Sequence, residues 1–280
     1  MERVFSAPAK INLCLHVLGK RPDGYHELCM LMQRVSLADR VTIRLNDAPG
    51  LVVECPGLDL AENEQNIAAR AARLVMDAAG RTDGVAVHID KRIPVAAGLG
   101  GGSSDAAAVL VGLNEMLGAP LSRADLLREG ARLGADVPFF VFGETAWATG
   151  IGDRLVKAPP LPRVWYVLVN PGFAVSTAWV YGNLRLTSPG GVAKLPEFFA
   201  SPRDLAGLLH NDLESVTIGG HPQVAEIKSA LMGAGALGAL MSGSGPTVFG
   251  LFADEAGAQR AGAALASRAD WRVFQVHPLA

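Results

Sequence analysis

The sequence predicts an α+β protein with two domains, and three observations lead to this fold class. Patterns typical of strands and of helices alternate along the 280 residues without the regular rhythm of a doubly wound sheet. Half of the residues are hydrophobic and only 19% are charged, so the chain can bury a large core. Three prolines within residues 159–162 interrupt the patterns on both sides. We therefore expect an N-terminal domain over residues 1–157 and a C-terminal domain over residues 158–280.

Each element is predicted from the period of its hydrophobic residues. Apolar residues at every second position indicate strands, whereas apolar residues three and four positions apart indicate helices. In the N-terminal half this predicts strands at residues 11–17, 41–45 and 85–89 and helices at residues 66–79 and 106–117. In the C-terminal half it predicts strands at residues 165–169, 247–252 and 271–276 and helices at residues 222–232 and 255–267.

A glycine-rich segment at residues 94–104 is the most informative stretch of the chain. Four of the five residues at positions 98–102 are glycines, and a helical pattern follows directly. Glycines let backbone N–H groups point at one place, and the start of a helix adds the positive end of its dipole, which together suit a phosphate group. We expect Ser103 or Ser104 to cap this helix. The candidate phosphate-binding residues are Pro94, Val95, Ala96, Ala97, Gly98, Leu99, Gly100, Gly101, Gly102, Ser103 and Ser104.

This segment belongs to neither of the two common classes of phosphate-binding loop. A Walker A loop ends in Gly-Lys-Ser or Gly-Lys-Thr, and the sequence contains no such tripeptide. A dinucleotide-binding fingerprint requires a third glycine where Ser103 stands. A tight turn between closely packed backbones is the structural alternative. A second glycine-rich stretch at residues 241–247 precedes a strand pattern, and the two stretches together favour a ligand shared between two lobes.

The N-terminal region supplies a further group of polar residues. The odd-numbered residues of the strand pattern at 11–17 are apolar and predict a half-buried strand, which leaves Lys10 and Asn12 on the opposite face. These two side chains are candidates for ligand contact, and a solvated strand face is the common alternative. After a turn, Tyr25 and His26 place a flat aromatic ring beside a ring that can donate and accept hydrogen bonds.

Composition and charge exclude several classes of protein. The net charge of −2 gives no basic surface for nucleic acid. Three cysteines without a Cys-x-x-Cys pair indicate reduced thiols and a cytoplasmic protein. Residues 229–253 carry no charge, but six glycines and Pro246 divide them into a short helix, a loop and a strand, so we expect no transmembrane helix. We expect no signal or transit peptide either.

Four separated motifs carry a resemblance to one superfamily of enzymes. They are residues 8–13, 94–107, 134–138 and 241–247, in this order. With these motifs the chain resembles the GHMP superfamily of small-molecule kinases, and the resemblance covers nearly the whole chain. It implies a two-lobed fold with the active site in the cleft between an N-terminal and a C-terminal α+β domain. It also implies that ATP is the phosphate donor.

The resemblance implies chemical roles for two polar residues. Asp136 matches the catalytic base, which accepts the proton of the attacking hydroxyl group. Lys10 matches its partner, a fixed cation that stabilises the transferred charge. ATP implies Mg²⁺, for which Ser103, Ser104 and Asp105 are the candidate ligands. Asp105 is equally suited to interact with the helix dipole.

Further segments narrow the resemblance to members that phosphorylate a hydroxyl of a cytidine-diphosphate-linked polyol in isoprenoid precursor biosynthesis. These segments are residues 21–28, 134–138, 211–214 and 234–247. Such members hold the cytosine between two aromatic rings and bind its polar edge with a histidine. The resemblance implies Tyr25 and Tyr181 as the two rings and His26 as the histidine, with Asn12 and Thr177 as further substrate-binding residues. Trp179 is the rival of Tyr181 for the second ring.

Two other functions stay open at this point. A GHMP kinase of the homoserine or mevalonate type binds an acceptor without a base, and Tyr25, His26 and Tyr181 speak against it. A non-catalytic nucleotide-binding regulator has no use for a base and a cation, and Lys10 and Asp136 speak against that function.

Overall fold

The computed structural model describes residues 1–46, 50–57, 66–82, 84–185 and 196–279. Within these residues the chain forms eleven strands and nine helices. The strands are β1 (Glu2–Lys20), β2 (His26–Asn46), β3 (Gly50–Glu54), β4 (Gly84–Asp90), β5 (Ala146–Gly150), β6 (Arg154–Lys157), β7 (Trp165–Asn170), β8 (His210–Asn211), β9 (Gly238–Met241), β10 (Val248–Phe252) and β11 (Arg272–Val276). The helices are α1 (Ile67–Ala78), α2 (Gly101–Met116), α3 (Arg123–Leu133), α4 (Val137–Phe142), α5 (Thr177–Asn183), α6 (Pro202–Leu208), α7 (Glu214–Gly220), α8 (Gln223–Gly233) and α9 (Glu255–Leu265). This mixture of helices and sheets confirms the predicted α+β class.

The chain gathers into two compact units that interleave along the sequence. The first unit contains Met1–Ala9, Leu37–Ile93 and Gly100–Gly143, and the second unit contains Lys10–Ser36, Pro94–Leu99 and Glu144–Ala280. The predicted boundary between residues 157 and 158 lies inside the second unit, because β5 pairs there with β2 and with β6. The division into domains 1–157 and 158–280 therefore stays a prediction. Neither unit begins or ends at residue 157 or 158.

The first unit combines a small sheet with the helices α1 to α4. β3 runs parallel to β4, and β4 runs antiparallel to residues 40–46 of β2. Helix α1 packs against α2, and α2 packs against α4. The helix predicted at residues 66–79 is confirmed, because Asn66 caps α1 by accepting hydrogen bonds from the amides of Ala68 and Ala69.

The second unit contains two sheets. One has the strand order β6–β5–β2–β1–β8 and uses residues 10–20 of β1 and residues 26–36 of β2. The other sheet is antiparallel with the order β11–β7–β10–β9. Helix α8 packs against β9 and β10, and α9 packs against β7 and β11. Tyr166 of β7 is fully buried, and its hydroxyl donates to Gln33 Oε1 at 2.7 Å, which satisfies its polar atom.

Two features differ from the sequence-based expectation. β1 is not half-buried: on the face predicted to be polar, Lys10 is 5% exposed, Asn12 0% and Cys14 1%. This face is covered because Lys10 and Asn12 bond to each other, and the loop at Gly243 lies against both side chains. The uncharged residues 229–253 form the end of α8, the short strand β9, a loop and β10, and β9 is an element that the hydrophobic period did not indicate.

No helix in the described part of the chain has both the length and the apolar character needed to cross a membrane.

Candidate active site

The helix that follows the glycine-rich segment begins earlier than its serines. α2 starts at Gly101, and the capping position is Gly100, whose φ of 69° lies in the left-handed region. The expectation that Ser103 or Ser104 caps the helix is wrong, because both serines lie inside its first turn and no side chain of the described residues caps it. The first N–H groups of a helix have no carbonyl one turn earlier, so the first turn of α2 offers backbone donors to a ligand.

A buried ion cluster fixes this helix start within the first unit. The Lys91 ammonium group bonds to Asp39 and donates to Asp105 Oδ2 at 2.7 Å. Asp39 Oδ1 also accepts the backbone N–H groups of Arg92 at 2.6 Å and Ile93 at 2.8 Å. The cluster therefore joins β2, the chain leading into the glycine-rich segment and the first turn of α2. Sequence reasoning missed it, because Asp39 and Lys91 are remote in sequence and belong to no motif.

Burial dominates the electrostatics of this cluster. It raises the pKa of Asp105 to about 7, against the opposing effect of the Lys91 charge. Burial also acts to lower the pKa of Lys91, but the two carboxylates outweigh it and the net direction is upward. Two buried oxygens beside the cluster, Ser104 Oγ and Asp105 Oδ1, have no hydrogen-bond partner among the described residues. Such groups are expected to meet a ligand, a water or an ion.

Asp136 lies near the same helix start in the first unit. It occupies the capping position of α4, is half-buried, and makes no side-chain capping bond there. Two residues earlier, Gly134 lies against α2: a β-carbon built on it would be 3.7 Å from Ser103 Oγ. The predicted catalytic base and the predicted phosphate-binding helix are therefore neighbours within one unit.

Lys10 lies beside the middle of the glycine-rich segment, within the second unit. Its backbone N–H donates to the Leu99 carbonyl at 3.0 Å, and its ammonium group donates to Asn12 Oδ1 at 2.6 Å. The Asn12 N–H in turn donates to Ser242 Oγ at 3.3 Å. The structure therefore brings two of the predicted site residues, Lys10 and Asn12, into direct contact.

The two glycine-rich stretches touch each other in the second unit. Ser242 Oγ donates to the Gly98 carbonyl at 2.9 Å, and the Thr247 N–H donates to the Ala97 carbonyl at 3.4 Å. A β-carbon built on Gly98 would lie 2.0 Å from the Ser242 carbonyl oxygen, and the φ of Gly98 is +76°. Only glycine satisfies both the conformation and the close approach at this position.

Hydrogen bonds from Asn211 and Thr177 hold the second stretch in place. Asn211 Nδ2 donates to the carbonyls of Met241 and Gly243, both at 2.8 Å. Thr177 Oγ1 shares a hydrogen bond of 2.8 Å with Ser244 Oγ. The one signal for Asn211 in the sequence was its place in the motif at residues 211–214, which gave no role. Thr177 contacts this loop, and its role in binding substrate stays a prediction.

The aromatic residues of the second unit separate into two groups. The rings of His26 and Tyr181 stack with centroids 4.9 Å apart and planes inclined by 25°. Trp179 instead lies edge-on to His221, with centroids 6.0 Å apart. Trp179 and Tyr181 diverge because α5 is helical, and positions two apart on a helix point to different sides. Tyr25 is 60% exposed, so its ring is available to a ligand.

The surroundings of His26 favour the neutral form of its ring. Burial, with a smaller contribution from the Lys20 charge, lowers its pKa below the ordinary value of 6.5. The ring is therefore neutral at neutral pH, with one nitrogen that donates and one that accepts.

Two family models match successive parts of the chain. The family model of the GHMP kinases N terminal domain matches residues 66–144, and that of the GHMP kinases C terminal matches residues 195–270. The 4-diphosphocytidyl-2-C-methyl-D-erythritol kinase of Syntrophotalea carbinolica is 58% identical over 275 residues, which cover 98% of each chain. The enzyme of the same name from Pelobacter propionicus is 56% identical over 95% of each chain.

Solved structures agree with these relatives. A crystal structure of a 4-(cytidine 5'-diphospho)-2C-methyl-D-erythritol kinase has a TM-score of 0.81 and 39% identity, and all of both chains is covered. A homoserine kinase from Cytophaga hutchinsonii has a TM-score of 0.74 over 99% of this chain and 95% of its own, but at 20% identity it shows the fold alone. The chain therefore belongs to the GHMP kinases and, within them, to the family of 4-diphosphocytidyl-2-C-methyl-D-erythritol kinases.

Proposed function

We propose that this chain transfers the terminal phosphoryl group of ATP to a hydroxyl of 4-diphosphocytidyl-2-C-methyl-D-erythritol, in the non-mevalonate route to isoprenoid precursors. One observation of the structure carries the proposal beyond family membership. In each unit, one of the two predicted catalytic residues lies beside the glycine-rich segment: Lys10 at Leu99 in the second unit, and Asp136 near Ser103 in the first unit. Each of these two parts of the segment therefore has one of the two charged residues beside it.

Asp136 and Lys10 divide the work at the acceptor hydroxyl. The hydroxyl oxygen attacks the terminal phosphorus of ATP, its proton passes to the Asp136 carboxylate, and ADP leaves with the electrons of the broken P–O bond. The transition state of phosphoryl transfer is loose, so most of the catalysis comes from position and charge. Lys10 supplies fixed positive charge, and Asn12 holds its ammonium group in place.

The phosphates of ATP are assigned to residues 94–104. The left-handed glycines at positions 98 and 100 turn the chain into α2, whose first turn exposes backbone donors and the positive end of the helix dipole. Ser242 and the loop that follows it support the first half of the segment through a hydrogen bond to the Gly98 carbonyl. The segment needs no basic surface, which agrees with the slight negative charge of the chain.

Magnesium fits the oxygen atoms at the start of α2. Ser104 Oγ and Asp105 Oδ1 are buried without a partner in the described residues, and hydroxyl and carboxylate oxygens are the ligands that Mg²⁺ prefers. Ser103, Ser104 and Asp105 are the residues that would hold the ion. When bound, Mg²⁺ would neutralise charge on the ATP phosphates.

The cytosine is assigned to the aromatic group around His26. Tyr25 offers an exposed ring, and Tyr181 lies beside His26, whereas Trp179 contacts a different histidine. In the structure His26 and Tyr181 stack on each other, so cytosine binding requires one of these rings to move aside. Stacking on an aromatic ring is worth about 1–3 kcal/mol per base.

We assign the enzyme to the cytoplasm. Cys14, Cys29 and Cys55 are all free and buried, as expected for thiols in a reducing compartment.

The decisive experiment measures ATP consumption by the purified chain with Mg²⁺ and three acceptors: the cytidylated polyol, homoserine and mevalonate. We expect turnover with the first acceptor alone. A His26→Ala variant should raise the KM for the polyol far more than the KM for ATP, and His88→Ala, at a partly exposed position of strand β4, is the matched control. Turnover with a plain alcohol would refute the cytosine assignment. Failure to consume ATP with any acceptor, despite binding it, would instead favour a non-catalytic nucleotide-binding protein.

A further inference from the structure

A group of three metal-binding side chains lies on one face of the β1–β8 pair in the second unit. The two strands are parallel, with Cys14 opposite His210 and Leu15 opposite Asn211. Side chains alternate along a strand, so His210 and Asp212 project to one side and Asn211 to the other. His16 of β1 lies on the same side as His210 and Asp212.

The donor atoms of these three residues converge. One ring nitrogen of His16, one of His210 and a carboxylate oxygen of Asp212 all lie within 4.8 Å of one another. The two imidazole rings are nearly parallel, with centroids 4.5 Å apart and planes inclined by 13°. His210 Nε2 and Asp212 Oδ1 are 2.7 Å apart.

The strand backbone orients the carboxylate. Asp212 Oδ2 accepts the N–H of Val17 at 2.7 Å, and the Asp212 N–H donates to the Leu15 carbonyl at 3.0 Å. One carboxylate oxygen is thus anchored to β1, and the other faces the two histidines. Metal-binding side chains are commonly held in this way by hydrogen bonds from outside the ligand set.

We propose that His16, His210 and Asp212 bind a divalent transition-metal ion of the Zn²⁺ class. Two imidazoles and one carboxylate suit Zn²⁺, Co²⁺ or Ni²⁺, whereas Mg²⁺ and Ca²⁺ prefer oxygen ligands alone. The site is separate from the residues proposed for catalysis and does not depend on the proposed function. Three protein ligands leave the fourth tetrahedral position to water.

Coordination requires at least one imidazole ring to rotate, because stacked rings direct their nitrogen lone pairs in parallel planes and not at one point. Bonds of about 2.0–2.1 Å to nitrogen and oxygen place tetrahedral ligand atoms about 3.3 Å apart, so the nitrogen–oxygen pair opens slightly and the third donor moves inward. The His210 side chain is 48% exposed and that of Asp212 is 32% exposed, so an ion can reach them and the rings can shift.

Binding of a metal here has a consequence for the loop at residues 241–243. Asn211 stands between His210 and Asp212 and holds that loop from the opposite side of β8. An ion that ties β8 to β1 therefore stabilises the support of a loop that contacts Gly98. We expect the ion to raise the melting temperature of the whole protein.

The first unit supplies a matched control. His88 on β4 lies near two carboxylates, Asp90 at 3.2 Å and Glu54 at 3.8 Å, and is exposed. This group has one imidazole instead of two, and it tests whether any exposed histidine beside carboxylates binds the ion.

The test is calorimetric titration of the untagged, nucleotide-free protein with ZnCl₂. We expect one site in the wild type and in His88→Ala, and an affinity more than about tenfold weaker in His210→Ala and in Asp212→Asn. Unfolding measured without metal must show that both variants are folded. The visible absorption of bound Co²⁺ gives a second measurement, and its tetrahedral bands should disappear in His210→Ala. No binding to the wild type, or equal binding in wild type and His210→Ala, would overturn the proposal.

Discussion

The two ends of the glycine-rich segment are held by different forces. In the second unit, residues 96–99 are held by neutral hydrogen bonds to Ser242, Thr247 and Val175 and by close packing at Gly98. In the first unit, the start of α2 is held by the charged group of Lys91 and two carboxylates. Neutral contacts of this kind depend on shape and contribute about 0.5–1.5 kcal/mol each. A buried ion cluster depends on the presence of every member, because removal of one leaves a buried charge uncompensated.

The largest expected effect is on kcat, and the change leaves the contacts at both ends of the glycine-rich segment intact. Asp136→Asn removes the proposed base while its neighbours in α4 and α2 keep their packing. We expect kcat to fall by about 100- to 10,000-fold. ATP affinity and the free energy of unfolding should change little. Steady-state kinetics, ATP titration and urea unfolding measure the three quantities, and a variant within about tenfold of the wild-type kcat would contradict the role of Asp136 as base.

The next largest effect breaks the charged end. Lys91→Met keeps the length of the side chain but leaves Asp39 and Asp105 buried without their cation, since the Lys91 side chain is only 14% exposed. We expect the free energy of unfolding to fall by about 3–5 kcal/mol. The control is Lys157→Met, whose partner is Glu144 on the surface and whose loss should be about 0–1 kcal/mol. Equal losses in urea unfolding would show that the cluster does not support the helix start.

A smaller effect breaks the neutral end. Gly98→Ala places a methyl group against the Ser242 carbonyl, and we expect it to cost about 1–3 kcal/mol beyond the backbone strain. Gly80→Ala measures that strain alone, about 1–2 kcal/mol, because Gly80 has a φ of +59° and open space around it. The KM for ATP should rise only in Gly98→Ala. If the free energy of unfolding falls by the same amount in both variants, the close contact with Ser242 does not contribute to stability.

The last expected effect is a dependence on pH that only the charged end should show. The folded pKa of Asp105, about 7, lies above its ordinary value of 3.8. The folded state therefore holds a proton that the unfolded state has released, and the contribution of Asp105 to stability falls as the pH rises from about 4 to about 7. Asp105→Asn should remove this part of the decline in urea unfolding across that range. Parallel pH profiles for the wild type and the variant would show that Asp105 does not titrate there.

The sequence predicted elements well where local signals agree. α1 was placed correctly because Asn66, a good capping residue, precedes a helical period. β1 was placed correctly but judged half-buried, because a polar face in the sequence suggests exposure. In the structure that face contains Lys10 and Asn12, which are buried because they satisfy each other and contact Ser242.

Site residues could be predicted from the sequence where they belong to a motif. They could not be predicted where only the folded chain brings them together. The contact between the two glycine-rich stretches agrees with their predicted association. The placement of Asp39 beside Lys91 and of Asn211 beside Met241 depends on strand pairing over long distances, which no local period encodes. The serine cap failed for another reason: Gly100 can adopt a left-handed conformation that ends the loop before Ser103 is reached.

The pairing of β1 with β8 has a consequence for synthesis. Cys14 leaves the ribosome long before His210, its partner, has been made. The edge of β1 that pairs with β8 therefore stays unpaired until most of the chain has emerged from the ribosome. An unpaired strand edge with apolar residues can associate with the wrong strand or with another chain. Completion of the second unit requires both β1 and β8, so its folding depends on a segment translated long after β1.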